Sequence, residues 1–159
     1  MGSGKSVVGH TLAQRLAWKF VDIDAEIVHE QKKSIPALFK EQGEEPFRDI
    51  EEKVIERVCL GSNQVISTGG GALIRQSNID CLRKNSWLVC LWVSAEKAFE
   101  RVAGDKNRPL LQTSNPMQKI VELLNQREAH YRKADFIRDT STSSIEEVVR
   151  DILRNFPQD

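Results

Sequence analysis

Apolar side chains at the start of the chain recur at the spacing of a helix. Val8, Leu12, Leu16 and Phe20 are four residues apart. An apolar residue on every turn gives a helix one buried face, so we predict a helix that opens within the segment GSGKS at residues 2–6.

Two further helices are predicted between residues 34 and 60. Ser34 provides a cap and Pro36 a first-turn proline for the segment SIPALFKEQ. The next segment, EPFRDIEEKVIERV, carries an apolar stripe at helical spacing that consists of Phe47, Ile50, Val54, Ile55 and Val58.

Three later segments are helical by the same criterion: AEKAFERVA, MQKIVELLNQREAHY and SSIEEVVRDILRNF. The last begins with the spacing of a capping box, and we assign its two members to Ser143 and Glu146. Residues 104–117 contain two prolines and few periodic apolar positions, so we expect a mobile loop there.

Short apolar segments alternate with these helices. QVIST and WLVCLWV are rich in β-branched or large apolar residues and are bounded by polar turns, which is typical of strands buried on both faces of a parallel sheet. KFVDID and ADFIRD are two more extended stretches. Strands that alternate with helices predict an α/β fold, and residues 1–159 are enough for a single domain.

The composition excludes several classes of partner. Lys plus Arg number 23, as do Asp plus Glu, so no net charge draws the chain towards nucleic acid or a membrane surface. The longest apolar run is too short to cross a bilayer, and we recognise no signal peptide. The three cysteines lack CxxC spacing and are typical of reduced thiols, while the three isolated histidines lack metal-binding spacing. We expect a cytoplasmic protein.

The segment GSGKS matches the last part of a Walker A phosphate-binding motif, GxxxxGK[ST]. In that motif backbone N–H groups surround the phosphates, the lysine reaches the β- and γ-phosphates, and the hydroxyl holds Mg²⁺. Gly4, Lys5 and Ser6 match, whereas the first glycine of the motif would precede Met1. A helix cap or a remnant of an expression tag has the same spacing, but the helix that follows favours a phosphate loop.

Two carboxylates end the first extended stretch. Asp22 and Asp24 occupy alternate positions of KFVDID, so we expect both side chains on one side of a strand. Carboxylates aimed at one point need a cation or a proton donor between them. They would either cap the next helix or, beside a phosphate loop, serve one as a Mg²⁺-associated group and the other as a partner of a substrate hydroxyl.

Glycines and arginines are candidate anion contacts. The glycines at 69–71 follow a strand, where glycine lets the backbone approach a ligand or adopt unusual dihedral angles. Arg48, Arg108 and Arg127 are each able to clamp an anion with two hydrogen bonds. Each is equally compatible with a surface ion pair.

The motifs GSGKS, FVDID, SIPALFKEQGEEPFRDIE, STGGGA, RPLL and LLNQREAHYRKAD occur in the order and spacing of the shikimate kinase family, which the chain resembles from residue 2 to its end. The combination is specific, since a Walker A tail alone occurs in many NTPases. The resemblance implies an α/β three-layer sandwich with a central parallel sheet, like nucleoside monophosphate kinases and other P-loop NTPases. It also implies that ATP phosphorylates the 3-hydroxyl of shikimate, with Mg²⁺, in aromatic amino acid biosynthesis. We expect a monomer.

The resemblance also implies roles on the nucleotide side. Lys5 would neutralise the transferring phosphoryl group, and Ser6 would hold Mg²⁺ with support from Asp22 through water. Arg101 would stack on adenine, and Arg108 in the lid at 104–117 would reach the phosphates when the lid closes and excludes water. The residues of the ATP-binding loop would be Gly2, Ser3, Gly4, Lys5, Ser6 and Val7.

Val7 departs from the family pattern, which usually has threonine at this position. The lost hydroxyl removes one hydrogen bond to a phosphate. We expect ATP binding to be weaker by about 1.5–3 kcal/mol at most.

On the substrate side, the resemblance places residues 24–60 in substrate-binding helices. Asp24 resembles the residue that orients the attacking hydroxyl and accepts its proton. Arg48 and Arg127 resemble the pair that grips the shikimate carboxylate, with Glu51 as a partner of Arg48. The same pocket would be lined by Gly69, Gly70 and Gly71.

A second departure concerns the sheet. Family members have an apolar strand and a leading glycine before the point where this sequence starts, and that strand lies in the middle of the sheet. We therefore expect a gap between the two flanking strands, which would leave backbone groups without ladder partners. An internally assigned start of a longer functional chain and a short protein without activity are both compatible with the sequence.

Two other functions stay open. A related small-molecule kinase, such as a gluconate kinase, would also need arginines for an acidic substrate, but DxD, FRxxE and RPLL together argue against it. A non-catalytic relative that binds shikimate or nucleotide is favoured by the departures above. The presence of Lys5, Ser6, Asp22, Asp24 and Arg108 opposes it.

Overall fold

Helices and short parallel strands alternate along the chain. The computed structural model describes residues 2–103 and 113–157, so most of the expected lid, including Arg108, lies outside the described residues. The elements are α1 (Lys5–Leu16), β1 (Lys19–Asp22), α2 (Ile23–Gln31), α3 (Ile35–Gln42), α4 (Glu44–Val58), β2 (Gln64–Ser67), a 3₁₀ helix (Ala72–Ile74), α5 (Gln76–Asn85), β3 (Val89–Trp92), α6 (Ala95–Val102), α7 (Pro116–Tyr131), β4 (Phe136–Asp139) and α8 (Ile145–Asn155).

The strands form two parallel pairs. In the first, β1 pairs with β2 so that Asp22 lies beside Ser67. In the second, β3 pairs with β4 so that Trp92 lies beside Asp139. Within residues 2–103 and 113–157 the two pairs share no hydrogen-bonded ladder. The α/β class with parallel strands is confirmed, and the sheet is divided as expected.

Division of the sheet leaves its strands less covered than the sequence predicted. Every residue of β3 and three of the four in β2 are only partly buried. The prediction that both strands are buried on both faces is therefore wrong. A strand gains its full burial from neighbours on both edges as well as from helices on both faces.

Three apolar clusters hold the helices against the strands. The first packs α2 to α5 together around fully buried side chains that include Ile23, Ile27, Leu38 and Ile55. The second joins α1 and α8 to β3 and β4, and the third joins α6 to α7. Each fully buried aliphatic side chain stabilises the fold by roughly 1.5–3 kcal/mol. Among the described helices, none is long and apolar enough to cross a membrane.

The predicted helices at 34–60 are confirmed. Ser34 Oγ accepts a hydrogen bond from the Ala37 N–H at 3.3 Å and begins α3. The predicted stripe of α4 is buried except for Ile50, which is partly buried. Two charged side chains, Arg48 and Glu51, are buried on the same helix.

Helix α2 lies in the region where substrate-binding helices were expected, whereas α5 occurs where the sequence did not predict a helix. Asp22 Oδ1 accepts a hydrogen bond from the Ala25 N–H at 3.2 Å, so that α2 begins directly at the end of β1. Asp24 therefore lies in the first turn of a helix, and the prediction that Asp22 and Asp24 share one side of a strand is wrong. The second helix, α5, has few apolar residues and buries only Asn78, Ile79 and Leu82, which leaves little periodic signal.

The capping box of α8 lies one residue later than predicted. Ser144 Oγ accepts a hydrogen bond from the Glu147 N–H at 3.3 Å, and Glu147 Oε2 accepts one from the Ser144 N–H at 2.8 Å. The assignment to Ser143 and Glu146 is wrong, because adjacent serines and adjacent glutamates offer the same spacing twice.

The capping box provides a test of α8 stability. We expect Ser144→Ala to lower the free energy of unfolding by about 1 kcal/mol, because it removes the acceptor for a backbone N–H at the helix start. Urea unfolding followed by circular dichroism measures this change. Thr142→Ala, at an exposed position of the same loop, should leave the stability unchanged. Equal stabilities of the two variants would contradict the assignment of the cap.

Candidate active site

The GSGKS segment turns sharply before α1. Gly2 and Gly4 have φ angles of 64° and 82°, which residues with a Cβ rarely adopt. A Cβ on Gly2 would also lie 2.9 Å from the Ala98 Cα, so the segment packs closely against α6. No acidic residue occupies the first turn of α1, and no side chain caps its start. The backbone N–H groups at this end, beside Lys5, are therefore arranged for an anion.

Arg101 and Thr140 contact the backbone of this loop. Arg101 donates hydrogen bonds to the backbone oxygen of Gly2 at 3.1 Å and to that of Thr140 at 2.6 Å. The buried Thr140 hydroxyl lies 3.2 Å from the backbone oxygen of Ser3. Stacking of Arg101 on adenine stays a prediction. The structure shows a different contact of Arg101, the hydrogen bond to the backbone of Gly2 in the loop. Sequence reasoning missed Thr140, because a threonine after a short strand belongs to no motif.

Ser6 and Asp22 lie together, as the sequence predicted. The Ser6 hydroxyl donates to Asp22 Oδ2 at 3.3 Å, while Asp22 Oδ1 caps α2. The capping role considered for Asp22 is confirmed, while its association with Mg²⁺ stays a prediction. A hydroxyl and a carboxylate oxygen are ligands that suit Mg²⁺. No cluster of three or more His, Cys, Asp or Glu suited to a metal occurs among the described residues, so further ligands would be phosphate oxygens and water.

A buried ion pair lies on the other side of the site. Arg48 Nη1 donates to Glu51 Oε2 at 2.7 Å, and its Nη2 donates to Glu44 Oε1 at 2.9 Å. Burial raises the pKa of Glu51, against the opposing charge of Arg48. Burial works to lower the pKa of Arg48, but the two glutamates outweigh it and raise that pKa. The guanidinium is 5% exposed, so Arg48 is not a solvated surface charge.

The glycines after β2 make room for this ion pair. A Cβ on Gly71 would lie 2.4 Å from Arg48 Nη2, and one on Gly69 would lie 3.0 Å from both Asp24 Oδ1 and Glu51 Oε1. None of the three glycines has a positive φ. Close approach of side chains, and not an unusual dihedral angle, is therefore the reason for glycine here.

Arg127 faces the same group of charges from α7. Its guanidinium is 7% exposed, and its charge works to lower the pKa of Glu51 and that of Tyr131. The structure thus brings Arg48, Arg127 and Asp24 to one place around Glu51. Within the described part of the chain, Glu51 Oε1 is buried without a hydrogen-bond partner.

A cavity lies between the phosphate loop, the glycine segment at 69–71 and β3. It has a volume of about 60 Å³ and is lined by Ser3 and Lys5 from the phosphate loop, by Gly69 and Gly70, and by β3. Burial raises the pKa of the Cys90 thiol in its wall, and the charge of Lys5 opposes this rise.

Val7 is 53% exposed on α1.

The chain is similar to known proteins over nearly its whole length. Residues 1–157 match the family model described as shikimate kinase. A shikimate kinase of Thermodesulfovibrio yellowstonii is 42% identical over 156 residues, which cover 98% of this chain and 90% of the relative. One from Persephonella marina is 42% identical over 153 residues, covering 96% of this chain and 92% of the relative.

Solved structures agree with these matches. Shikimate kinase from Acinetobacter baumannii in complex with shikimate has a TM-score of 0.94 at 36% identity and covers 97% of this chain and 87% of its own. Shikimate kinase from Aquifex aeolicus has a TM-score of 0.82 at 34% identity and covers 97% and 90%. Because the fold, the motifs and the sequence agree from end to end, the chain belongs to the shikimate kinase family.

Proposed function

We propose that this chain catalyses the ATP-dependent phosphorylation of the 3-hydroxyl of shikimate, which yields shikimate 3-phosphate and ADP. The observation that carries the proposal is the convergence of two nearly buried arginines, Arg48 and Arg127, on the glycine-lined space beside Asp24. The similar structure from Acinetobacter baumannii was solved with shikimate.

On the substrate side, the arginines bind the shikimate carboxylate. A guanidinium binds a carboxylate through parallel N–H donors, which fixes orientation as well as charge. Glu51 keeps Arg48 in place through the 2.7 Å contact on its Nη1. Substrate bound in this way presents its hydroxyl to Asp24, which lies beside Gly69 and whose charge acts on Glu51.

Phosphoryl transfer requires positioning and charge neutralisation more than covalent help from the protein. The 3-hydroxyl oxygen forms a bond to the γ-phosphorus, the bond from that phosphorus to the ADP oxygen breaks, and Asp24 accepts the hydroxyl proton. Lys5 and the N–H groups at the start of α1 stabilise the charge on the transferring group. The lid at 104–117 with Arg108 would exclude water, which stays a prediction because the lid lies mostly outside the described residues.

Mg²⁺ would be held by Ser6 and Asp22, whose oxygens are 3.3 Å apart. When bound, the ion neutralises phosphate charge and orients the phosphates. The hydrogen bond between the two side chains holds them in place for this task.

A non-catalytic relative that binds shikimate or nucleotide is the second candidate. The lack of a ladder between the two strand pairs of residues 2–103 and 113–157, with the cavity beside Lys5 and β3, favours it. The presence of Lys5, Ser6, Asp22 and Asp24 opposes it, since binding alone does not require all four. The similarity to shikimate kinases disfavours a gluconate kinase.

The test is release of ADP by the purified chain with ATP and Mg²⁺, in the presence of shikimate, of gluconate or of neither. We expect turnover that depends on shikimate. A folded chain that binds shikimate in calorimetry but releases no ADP would support the non-catalytic relative. Turnover with gluconate alone would support the related kinase.

Lys5→Met tests the phosphate loop. We expect kcat to fall by about 100-fold or more, because a positioned charge at the transition state is lost, while shikimate affinity stays the same. Lys19→Met, at an exposed position of β1, is the matched control and should keep its activity. Equal loss of turnover and of shikimate binding in Lys5→Met would assign Lys5 a structural role.

Arg127→Ala tests the carboxylate site. We expect the KM for shikimate to rise roughly 10- to 100-fold, the effect of losing a charge-assisted contact, with little change in the KM for ATP. Arg132→Ala removes an exposed arginine from the end of the same helix, where it pairs with Glu128, and should change neither constant. An unchanged KM for shikimate in Arg127→Ala would remove this residue from the pocket.

A further inference from the structure

A hydrogen bond joins the glycine segment at 69–71 to α7. Tyr131, the last residue of α7, donates from its hydroxyl to the backbone oxygen of Gly70 at 2.6 Å, across 61 positions of sequence. This distance is at the short end of the range for O–H···O hydrogen bonds. The contact therefore holds the middle residue of the segment against the end of the helix.

Tyr131 shares a face of α7 with Arg127. The two residues are four positions apart in the helix, so their side chains lie on the same side, one turn apart. The charge of Arg127 acts directly on the Tyr131 hydroxyl and works to lower its pKa. The helix face that presents one substrate arginine therefore also fixes the glycine segment.

The other substrate arginine packs on the neighbouring glycine. Arg48 Nη2 lies so near Gly71 that a Cβ there would come within 2.4 Å of it. Gly70, immediately before, is the residue that Tyr131 holds. Any shift of the glycine segment away from α7 would therefore change the space between Arg48 and Arg127.

We propose that Tyr131 is a positioning residue that sets the separation of Arg48 and Arg127 and thereby the affinity for the carboxylate of shikimate. The proposal rests on the proposed function. Tyr131 also lines the cavity beside Gly69 and Gly70. Burial outweighs the nearby arginines and raises the pKa of Tyr131, so the phenol keeps its proton and donates throughout the neutral range.

Tyr131→Phe tests the proposal, because it keeps the ring and removes only the hydroxyl. We expect the Kd and the KM for shikimate each to rise roughly 3- to 10-fold, the effect of one lost hydrogen bond. The KM for ATP should not change, and kcat should change little. Backbone amides of residues 68–74 should exchange hydrogen faster in the variant without ligands, which reports the loosened segment directly.

Ser144→Ala is the matched control for a general loss of stability. It weakens the cap of α8, on an element that packs against α1 and β4, and should leave the KM for shikimate unchanged. Equal rises of that KM in both variants would overturn the proposal in favour of a purely structural role. Unchanged shikimate affinity in Tyr131→Phe would overturn it as well.

Failure of the proposed function gives a different result. An unaltered chain that does not bind shikimate in calorimetry would refute the proposed function and, with it, the role of Tyr131 in substrate affinity. An unaltered chain that binds shikimate, together with a variant that binds it equally well, would refute the role of Tyr131 alone.

Discussion

The buried ion pair between Arg48 and Glu51 is the contact on which the substrate side of the site depends. Removing two charges from water is expensive, and only close pairing with further hydrogen bonds compensates for it. The pair meets this condition through the 2.7 Å contact with Glu51 and the 2.9 Å contact with Glu44. The ion pair also restricts position 71 to glycine, since a Cβ there would collide with the Arg48 guanidinium. Glycine at this position is thus a consequence of the arginine.

The two sides of the site use different parts of the polypeptide. The nucleotide side relies on backbone geometry: two glycines with positive φ, the start of α1, and carbonyl groups held by Arg101 and Thr140. The substrate side relies on side chains whose charges are buried. Backbone N–H groups at a helix start bind a phosphate without selecting one particular anion. Recognition of one particular small acid requires planar donors placed at a fixed separation.

The sequence predicted residues that belong to the family motifs and missed contacts made by residues outside those motifs. The family resemblance paired Ser6 with Asp22 and Arg48 with Glu51, and the structure shows a hydrogen bond within each pair. Asp24 was assigned to a strand, but it lies in a helix. The Asp22 side chain caps that helix and ends the strand before Asp24. Thr140 contacts Ser3, which is 137 positions away, and Tyr131 contacts Gly70, which is 61 positions away. No local sequence pattern predicts such contacts.

The divided sheet gives these distant contacts their importance. One strand pair carries Asp22 and leads to the glycine segment, whereas the other leads to Thr140. The phosphate loop bridges the pairs, since Ser6 contacts Asp22 while the Ser3 backbone contacts Thr140. The bond from Tyr131 to Gly70 is a second bridge, because α7 precedes β4 and the glycine segment follows β2. With no ladder between the pairs among the described residues, these bridges and the packing of α1 on both pairs hold the GSGKS segment relative to the glycine segment.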